Sequence, residues 1–293
     1  MNDLVILSDA SLRRYNTLGL NARAAVLYLP FSKEALIQAI RSTQGKKRIL
    51  IGNGSNLLLA KEYYDDSYAF IVTSHADNLI IEGDEMIAEA GVSLNRLAWF
   101  CVEQSIDGYA FAEDIPGTVG GALIMNAGQF EYTIGMYVNW IDVYHTENET
   151  IERIIPDADF FGYRRSQLEE HADIVLACSL KTPKGESMHS LEKILEYKRE
   201  RYRKQPREFP NAGSVFKRPT KNNQTYYVWQ LFEETGLRGF RIGDAEVSTK
   251  HPGFFVNRGH ATPSDMLALI NECKKRVQER FAIDLHLEWK VID

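Results

Sequence analysis

The sequence predicts a globular protein of mixed α and β structure, and three observations support this class. Short apolar strand candidates alternate with amphipathic helix candidates over the first two-thirds of the 293-residue chain. A polar stretch rich in turn-forming residues, Thr182–Ser190, then marks a candidate boundary. Beyond it lie two further helix candidates. The composition, with 44% hydrophobic and 25% charged residues, is ordinary for a soluble protein with a sizeable core.

The elements of the first two-thirds follow from local residue patterns. Apolar residues recur at helical spacing in Lys33–Ser42, which predicts a helix there. Ser93 is a suitable N-cap for a second helix, from Leu94 to about Gln104. The strand candidates are short apolar stretches at Ala25–Pro30, Arg48–Ile51, Ala69–Thr73 and Met86–Ala90.

The last third begins with the charged segment Leu191–Lys204, which is typical of a solvated helix. A longer helix is predicted at Pro263–Phe281, because Thr262 is a suitable cap and proline suits the first helical position. Its apolar residues form one stripe that we expect to pack on a sheet: Met266, Ile270, Cys273, Val277 and Phe281. A final strand is predicted at Leu285–Ile292.

Charge and cysteine content limit the classes of function. The net charge of −6 argues against a general nucleic-acid-binding protein. The cysteines, Cys101, Cys178 and Cys273, have no CxxC spacing, which favours reduced, buried thiols in a cytoplasmic protein. The histidines show no HxxxH or HExxH spacing, so we expect no metal site. No secretory signal or membrane-spanning run is visible, so we expect no membrane insertion.

The turn Gly52–Asn56 (GNGSN) follows a predicted buried strand. Its two glycines permit positive φ and let backbone N–H groups approach a ligand, as in a phosphate cradle. Taken alone, an ordinary tight turn is the better interpretation. The turn matches neither GxGxxG nor the GxxxxGK[ST] phosphate loop, so a Rossmann dinucleotide site is not indicated.

A second glycine-rich stretch is Ile115–Ala122 (IPGTVGGA), followed by Met125–Gly128 (MNAG). Pro116 and Gly117 favour a turn, and Gly120 and Gly121 remove side chains where something must approach the backbone. A purely structural loop is one interpretation. A flat, rigid cofactor lying on bare backbone explains the pattern better.

These motifs, with later ones in the same order, resemble the UDP-N-acetylenolpyruvoylglucosamine reductase family from about residue 12 to residue 292. No single short motif carries the resemblance. The matching segments beyond the two glycine-rich stretches are Asn16–Leu20 (NTLGL), Tyr163–Ser166 (YRRS), Lys204–Pro219 (KQPREFPNAGSVFKRP), Gly236–Gly243 (GLRGFRIG), Val247–His251 (VSTKH) and Gly253–Asn257 (GFFVN).

The resemblance implies an α+β fold. A two-subdomain FAD-binding domain of the PCMH/vanillyl-alcohol-oxidase type would span residues 1–185, and a smaller α/β substrate-binding domain would span 190–293. The implied activity is reduction of UDP-N-acetylenolpyruvylglucosamine to UDP-N-acetylmuramate, with FAD as cofactor and NADPH as co-substrate, in peptidoglycan precursor synthesis. The chain resembles the shorter subtype of the family, and we expect a monomer.

The resemblance also implies the site residues. Ser214 stands at the position of the proton donor, Arg164 at that of an arginine near the substrate carboxylate, and Glu288 at that of a C-terminal glutamate. The cofactor-binding candidates are Gly52, Asn53, Gly54, Ser55, Asn56, Pro116, Gly117, Thr118, Gly120, Gly121 and Asn126. The candidates for the substrate diphosphate and sugar are Arg201, Lys204, Lys217 and Arg218, because cations suit diphosphate oxygens.

The chain departs from the family pattern at particular positions. Arg165 replaces an acidic or amide residue, and Asp114 and Asp244 stand where glycine is common. Val228–Leu231 (VWQL) stands where an Ala-Gly pair usually opens a helix. Two alternatives therefore stay open: another FAD oxidoreductase of the same flavin fold, and a non-catalytic paralogue that binds a nucleotide sugar or flavin.

Overall fold

The computed structural model describes residues 3–169 and 173–293, which form two compact units. Each unit is discontinuous in sequence. The first comprises Met1–Ser8, Val26–Asn53 and Asp66–Glu200, and the second comprises Asp9–Ala25, Gly54–Asp65 and Arg201–Asp293. The units therefore do not coincide with the expected split at 185–190, because two early segments belong with the C-terminal third. The assignment of cofactor and substrate binding to 1–185 and 190–293 stays a prediction.

The described residues contain both helices and strands, in mixed order along the chain, which fits the α+β class. The helices are α1 Lys33–Ser42, α2 Leu94–Glu103, α3 Val119–Met125, α4 Ser187–Lys204, α5 Val228–Glu234 and α6 Pro263–Phe281. The strands of three or more residues are β1 Leu4–Ser11, β2 Arg23–Pro30, β3 Lys47–Ile51, β4 Leu57–Leu59, β5 Tyr68–Val72, β6 Leu79–Glu82, β7 Glu85–Glu89, β8 Val138–His145, β9 Thr150–Ile154, β10 Ile174–Leu180, β11 Ala245–Val247, β12 Phe255–Asn257 and β13 Lys290–Ile292.

The first sheet has the strand order β1–β2–β5–β3, and β2, β5 and β3 run parallel. Helix α1 covers it. Its N-cap Ser32 accepts a hydrogen bond from Ala35 N, and its buried face includes Leu36 and Ile40. Because these strands are parallel, the turn after β3, which begins at Gly52, lies at the carboxyl edge of the sheet. That edge is where open α/β sheets generally bind ligands.

The second sheet of the first unit is antiparallel, with the order β9–β8–β10–β7–β6. Every residue of β10 is buried, which explains its continuous apolar sequence. Helix α2 is capped by Ser93, as the sequence predicts, and buries Leu97 and Cys101 in a core shared with α3. This core is distinct from the one beneath the first sheet.

The second unit is built around α5, α6 and an antiparallel sheet of Arg241–Ile242, β11 and β12. Strand β13 pairs in parallel with β4. Helix α6 has the predicted bounds, and Thr262 and Asp265 form a capping box at its start. The predicted stripe is confirmed, because Met266, Ile270, Cys273 and Val277 are buried and Phe281 is partly buried against the same core.

Two element boundaries differ from the sequence prediction. Helix α4 begins at Ser187, inside the polar stretch that the sequence marks as a boundary. The final strand begins only at Lys290, because residues 286–288 form backbone hydrogen bonds with residues 215–217 before β13 starts. Across residues 3–169 and 173–293, no helix has the length and apolarity needed to cross a membrane.

Candidate active site

The turn after β3 contacts the second glycine-rich loop of the first unit. A Cβ on Gly52 would overlap the Thr118 side chain, so only glycine allows this approach. Gly52 of the first glycine-rich motif and Thr118 of the second are therefore in direct contact. The next residue, Asn53, is exposed.

The other half of the turn belongs to the second unit. Gly54 has φ +64°, and a Cβ there would overlap the Tyr15 carbonyl oxygen. Gly54 O also accepts a hydrogen bond from Thr17 N at 3.1 Å. The turn is thus fastened to the NTLGL segment, and its neighbours Ser55 and Asn56 are partly exposed.

Thr118 caps α3, and its hydroxyl oxygen accepts a hydrogen bond from Gly121 N at 3.4 Å. The two preceding amides are also used within the chain. Val119 N donates to Val92 O, and Gly120 N donates to Ala90 O, both at 2.8 Å. The start of this short helix therefore offers fewer open N–H groups than its glycines suggest.

The two adjacent glycines of the loop differ in their surroundings. A Cβ on Gly120 would lie 2.9 Å from the Ala90 Cβ, so the close approach predicted here is made by the chain itself. Gly121 is exposed, and a Cβ there would meet only the Thr118 hydroxyl, at 3.7 Å. Pro116 is exposed and Gly117 is partly exposed. Bare backbone near Gly121 fits a flat cofactor.

Asn126 ends α3 in the left-handed conformation, with φ 42°. Its side chain donates to Gly162 O at 2.9 Å and accepts from Gly135 N at 3.1 Å. Ser166 Oγ donates to Ile124 O at 2.8 Å nearby. These bonds tie α3 to the hairpin of the YRRS motif, so the predicted cofactor residue Asn126 also has a structural task.

Arg164 lies at the turn of that hairpin, between the two-residue strands Phe161–Gly162 and Arg165–Ser166. It has φ 53°, and its Nη2 donates to Gly128 O of the MNAG motif at 3.0 Å. The guanidinium is therefore held against a predicted flavin-binding segment. Its neighbour Arg165 is exposed and packs across Gly162.

Ser214 follows Gly213, whose φ of +75° turns the chain into an extended segment. Ser214 forms an antiparallel bridge with Phe254, and Val215 N donates to Gly253 O at 3.1 Å. Upstream, Asn211 Oδ1 accepts a hydrogen bond from Gly213 N at 3.2 Å. The partly exposed Ser214 is thus set on a backbone fastened at both ends.

Glu288 lies on the neighbouring segment of the same unit. Its N–H donates to Val215 O at 2.8 Å, and Lys217 N donates to His286 O at 2.9 Å. The structure therefore brings together two of the three predicted catalytic residues, Ser214 and Glu288, on adjacent antiparallel segments. The third, Arg164, belongs to the other unit.

His251 lies on the turn that leads to Phe254. Its backbone oxygen accepts from Phe254 N at 3.0 Å, and its ring Nδ1 accepts from Gly253 N at 3.1 Å. Burial lowers the pKa of His251 below its ordinary value, which favours the neutral ring. A neutral acceptor suits the bond to Gly253 and so supports the segment that pairs with Ser214.

The predicted diphosphate cations fall into two groups within the second unit. Arg201 and Lys204 lie in the last turn of α4, where Arg201 donates to Gln205 Oε1 at 3.0 and 3.2 Å. Lys217 and Arg218 follow directly after the Ser214 segment. The Arg218 guanidinium stacks 4.9 Å from the centre of the Tyr227 ring.

Sequence reasoning missed Glu113, which lies two residues before Ile115, the first residue of the IPGTVGGA loop. Its side chain is only 1% exposed, and it accepts hydrogen bonds from Lys198 Nζ at 2.6 Å and from the Asn95 amide. The carboxylate thereby joins α2 and α4 beneath the loop. A carboxylate in an otherwise apolar stretch (YAFAEDIPG) is the signal that could have identified it.

The comparisons with known proteins agree with these motifs. Residues 205–292 match the family model of the UDP-N-acetylenolpyruvoylglucosamine reductase C-terminal domain, and residues 24–149 match an FAD binding domain. The reductase of Caldanaerobacter subterraneus subsp. tengcongensis is 36% identical over 284 residues, 96% of this chain and 91% of the relative. That of Thermotoga maritima is 36% identical over 279 residues, 94% and 95% of the two chains.

Solved structures give the same result. The crystal structure of UDP-N-acetylenolpyruvylglucosamine reductase from Thermus caldophilus superposes with a TM-score of 0.80. It is 30% identical in sequence, and the match covers 99% of both chains. The fold predicted from the resemblance is therefore confirmed over the whole chain.

Proposed function

The chain belongs to the UDP-N-acetylenolpyruvoylglucosamine reductase family, and from that premise we propose that it reduces UDP-N-acetylenolpyruvylglucosamine to UDP-N-acetylmuramate at the expense of NADPH. The observation that carries the proposal within the structure is the pairing of the Ser214 segment with the Glu288 segment. That pairing sets a hydroxyl and a carboxyl group on one backbone framework.

Bound FAD supplies a hydride taken from NADPH. The residues that would hold it are those of the glycine-rich turn and loop, from Gly52 to Ser55 and from Pro116 to Gly121, and the bare backbone near Gly121 would admit a flat ring system. The contact between Gly52 and Thr118 supports a shared cofactor site. Neither motif needs a metal ion for this role.

The chain's own residues manage charge and protons. The enolpyruvyl group is a carbon–carbon double bond conjugated to a carboxylate. When its terminal carbon gains a hydride, negative charge develops on the neighbouring carbon and the carboxylate. The Arg164 guanidinium stabilises that charge, and its bond to Gly128 O holds it ready before the reaction.

Ser214 then delivers the proton. Its hydroxyl hydrogen moves to the carbon that bears the negative charge, which completes the saturated lactyl ether. The resulting serine oxygen must be reprotonated, and Glu288 in its acid form supplies that proton. Arg201, Lys204, Lys217 and Arg218 bind the diphosphate and sugar of the substrate.

The departures from the family pattern do not favour a non-catalytic paralogue. Arg165 is exposed on the hairpin, away from the bond between Arg164 and Gly128. The Asp244 carboxylate accepts a hydrogen bond from His260 N at 2.9 Å and forms an ion pair with the Arg241 guanidinium at 2.7 Å. Both residues therefore have ordinary local tasks. We also propose that the protein is a cytoplasmic monomer.

The test is a turnover assay with purified, flavin-loaded protein. NADPH oxidation should depend on UDP-N-acetylenolpyruvylglucosamine, and UDP-N-acetylglucosamine, which lacks the enolpyruvyl group, should not replace it. Mass spectrometry should detect a product heavier by two hydrogens. Flavin-loaded protein that oxidises NADPH without forming this product would overturn the proposal.

The role of Ser214 is tested by Ser214→Ala. Turnover should fall by about 10²- to 10⁴-fold, the usual contribution of a positioned general acid. The matched control is Ser264→Ala, an exposed serine of α6 in the same unit, which should retain wild-type turnover. Equal turnover of the two variants would remove Ser214 from the mechanism.

A further inference from the structure

Asn56 forms two hydrogen bonds to the backbone directly after Glu288, one on each side of Trp289. Its side-chain Nδ2 donates to Glu288 O at 3.1 Å. Its own carbonyl oxygen accepts a hydrogen bond from Lys290 N at 2.9 Å. All three residues belong to the second unit. Asn56, the last residue of the GNGSN turn, is therefore hydrogen-bonded to the segment that carries Glu288.

Hydrogen bonds from two different segments hold this short stretch of backbone in place. Glu288 N donates to Val215 O at 2.8 Å, so the peptide units before and after Glu288 are bonded to different segments. Trp289 is buried, and its indole N–H donates to Ala212 O at 2.8 Å. Because the backbone dihedrals set the Cα–Cβ direction and limit the allowed rotamers, these bonds fix where the Glu288 side chain leaves the chain.

Asn56 is well suited to this task and is poorly replaced. Its amide supplies a donor to the carbonyl oxygen of Glu288, two residues before β13 starts at Lys290. An aspartate at the same place has the same shape but no donor. Parallel pairing of β4 with β13 begins at Leu57 and Lys290, directly after the hydrogen bond between Asn56 and Glu288.

We propose that Asn56, although it ends the predicted cofactor-binding turn, is a positioning residue whose side chain acts through Glu288 and does not hold FAD. The proposal rests on the proposed function, in which Glu288 reprotonates Ser214. Asn56 then matters for reduction of the enolpyruvyl substrate and not for reduction of the flavin by NADPH. This separates it from a residue whose only task is to hold FAD.

The experiment measures the two half-reactions of Asn56→Ala and Asn56→Asp separately by anaerobic stopped flow. We expect both variants to keep bound FAD and to be bleached by NADPH at a near wild-type rate. Reoxidation of the flavin by UDP-N-acetylenolpyruvylglucosamine should slow about 10- to 100-fold, as expected for a misplaced catalytic group. Loss of flavin, or an equal slowing of both half-reactions, would overturn the proposal.

A double-mutant cycle with Glu288→Gln tests whether Asn56 acts through Glu288. The double variant Asn56→Ala/Glu288→Gln should reoxidise no more than about twofold slower than Glu288→Gln alone, because the group being positioned is already gone. Independent, multiplying effects would contradict the proposal. If Glu288→Gln reoxidises at the wild-type rate, the proposed role of Glu288 fails first, which distinguishes the two failures.

Tyr64→Phe is the matched control. Tyr64 Oη donates to Ile292 O at 2.6 Å, so this variant removes a side-chain bond from the far end of the same C-terminal strand. We expect its reoxidation rate to equal that of the wild type. If Tyr64→Phe slows reoxidation as much as Asn56→Ala does, general loosening of the strand explains both, and the positioning role of Asn56 is wrong.

Discussion

Arg164 and Arg165 are adjacent residues with the same charge but different surroundings. The Arg164 guanidinium is bonded to Gly128 O, whereas Arg165 is exposed. We expect Arg164→Lys to slow flavin reoxidation by the enolpyruvyl substrate about 10²-fold, because a point-charge ammonium loses the planar hydrogen-bonding fork. Arg165→Lys is the control and should change the rate less than twofold in the same stopped-flow assay. Similar losses in both variants would contradict the assignment.

Asp114 shows why a family position prefers glycine. Its φ is 72°, in the left-handed region that aspartate tolerates and β-branched residues avoid. We expect Asp114→Val to lower the free energy of unfolding by about 1–2 kcal/mol, and Asp114→Gly to change it by less than about 1 kcal/mol. Urea denaturation measures both. An Asp114→Val variant as stable as Asp114→Gly would show that the left-handed backbone is not required there.

Among the elements, the ion pair of Glu113 and Lys198 joins α4 to the segment just before the IPGTVGGA loop. Its two ends are unequal, since the Glu113 side chain is 1% exposed and that of Lys198 is 46% exposed. Lys198→Met leaves a buried carboxylate without its cation and should cost about 2–4 kcal/mol of unfolding free energy.

The opposite variant gives the comparison. Glu113→Gln leaves a half-exposed ammonium that water can solvate, so it should cost only about 1 kcal/mol. Urea denaturation of the two single variants shows directly which one loses more free energy of unfolding. A larger cost for Glu113→Gln than for Lys198→Met would contradict this account of the pair.

His145, at the end of β8, joins two other elements. Its Nε2 lies 2.7 Å from Glu152 of β9, and its Nδ1 lies 2.6 Å from Asp173, next to β10. Hydrogen bonds to Glu152 and then Asp173 raise the pKa of His145 above its ordinary value. The contribution of these two hydrogen bonds to the free energy of unfolding is therefore fully present below the unfolded-state pKa of about 6.5. It is lost as pH rises through the higher folded-state pKa of His145.

The melting temperature should accordingly contain a component that declines as pH increases above about 6.5. His145→Gln should remove that component, because glutamine does not titrate. The control is His189→Gln, an exposed histidine of α4, which should keep the wild-type pH profile. A His145→Gln variant with an unchanged profile would show that the two carboxylates do not stabilise the protonated ring.

Elements with strong local signals could be predicted from the sequence. The bounds of α1 and α6 are those that periodicity and capping residues indicate. The start of α4 could not be found this way, because Ser187–Ser190 is polar and lacks an apolar stripe. The final strand was predicted too long, since its first residues pair with residues 215–217 and not with β4. Pairing of that kind depends on tertiary contacts.

At the scale of the whole molecule, the division into units lies outside what local patterns indicate. The bond between Asn56 and Glu288 joins residues 232 positions apart, and no spacing rule connects them. Ser214, Arg164 and Glu288 were identified by resemblance, since neither composition nor periodicity distinguishes them from turn or surface residues. The structure adds the pairing of the Ser214 and Glu288 segments, and it shows that Gly120 serves packing against Ala90.

In the proposed reaction, a single bound flavin would carry the hydride from NADPH to the enolpyruvyl substrate, and Ser214 donates the proton. The most direct measurement follows the flavin absorbance band anaerobically, adding NADPH first and UDP-N-acetylenolpyruvylglucosamine second. We predict that NADPH bleaches the flavin in both the wild type and Ser214→Ala, and that the substrate restores the colour about 10²- to 10⁴-fold more slowly in Ser214→Ala. A protein that binds no flavin, or a reduced flavin that ignores this substrate, would contradict the claim.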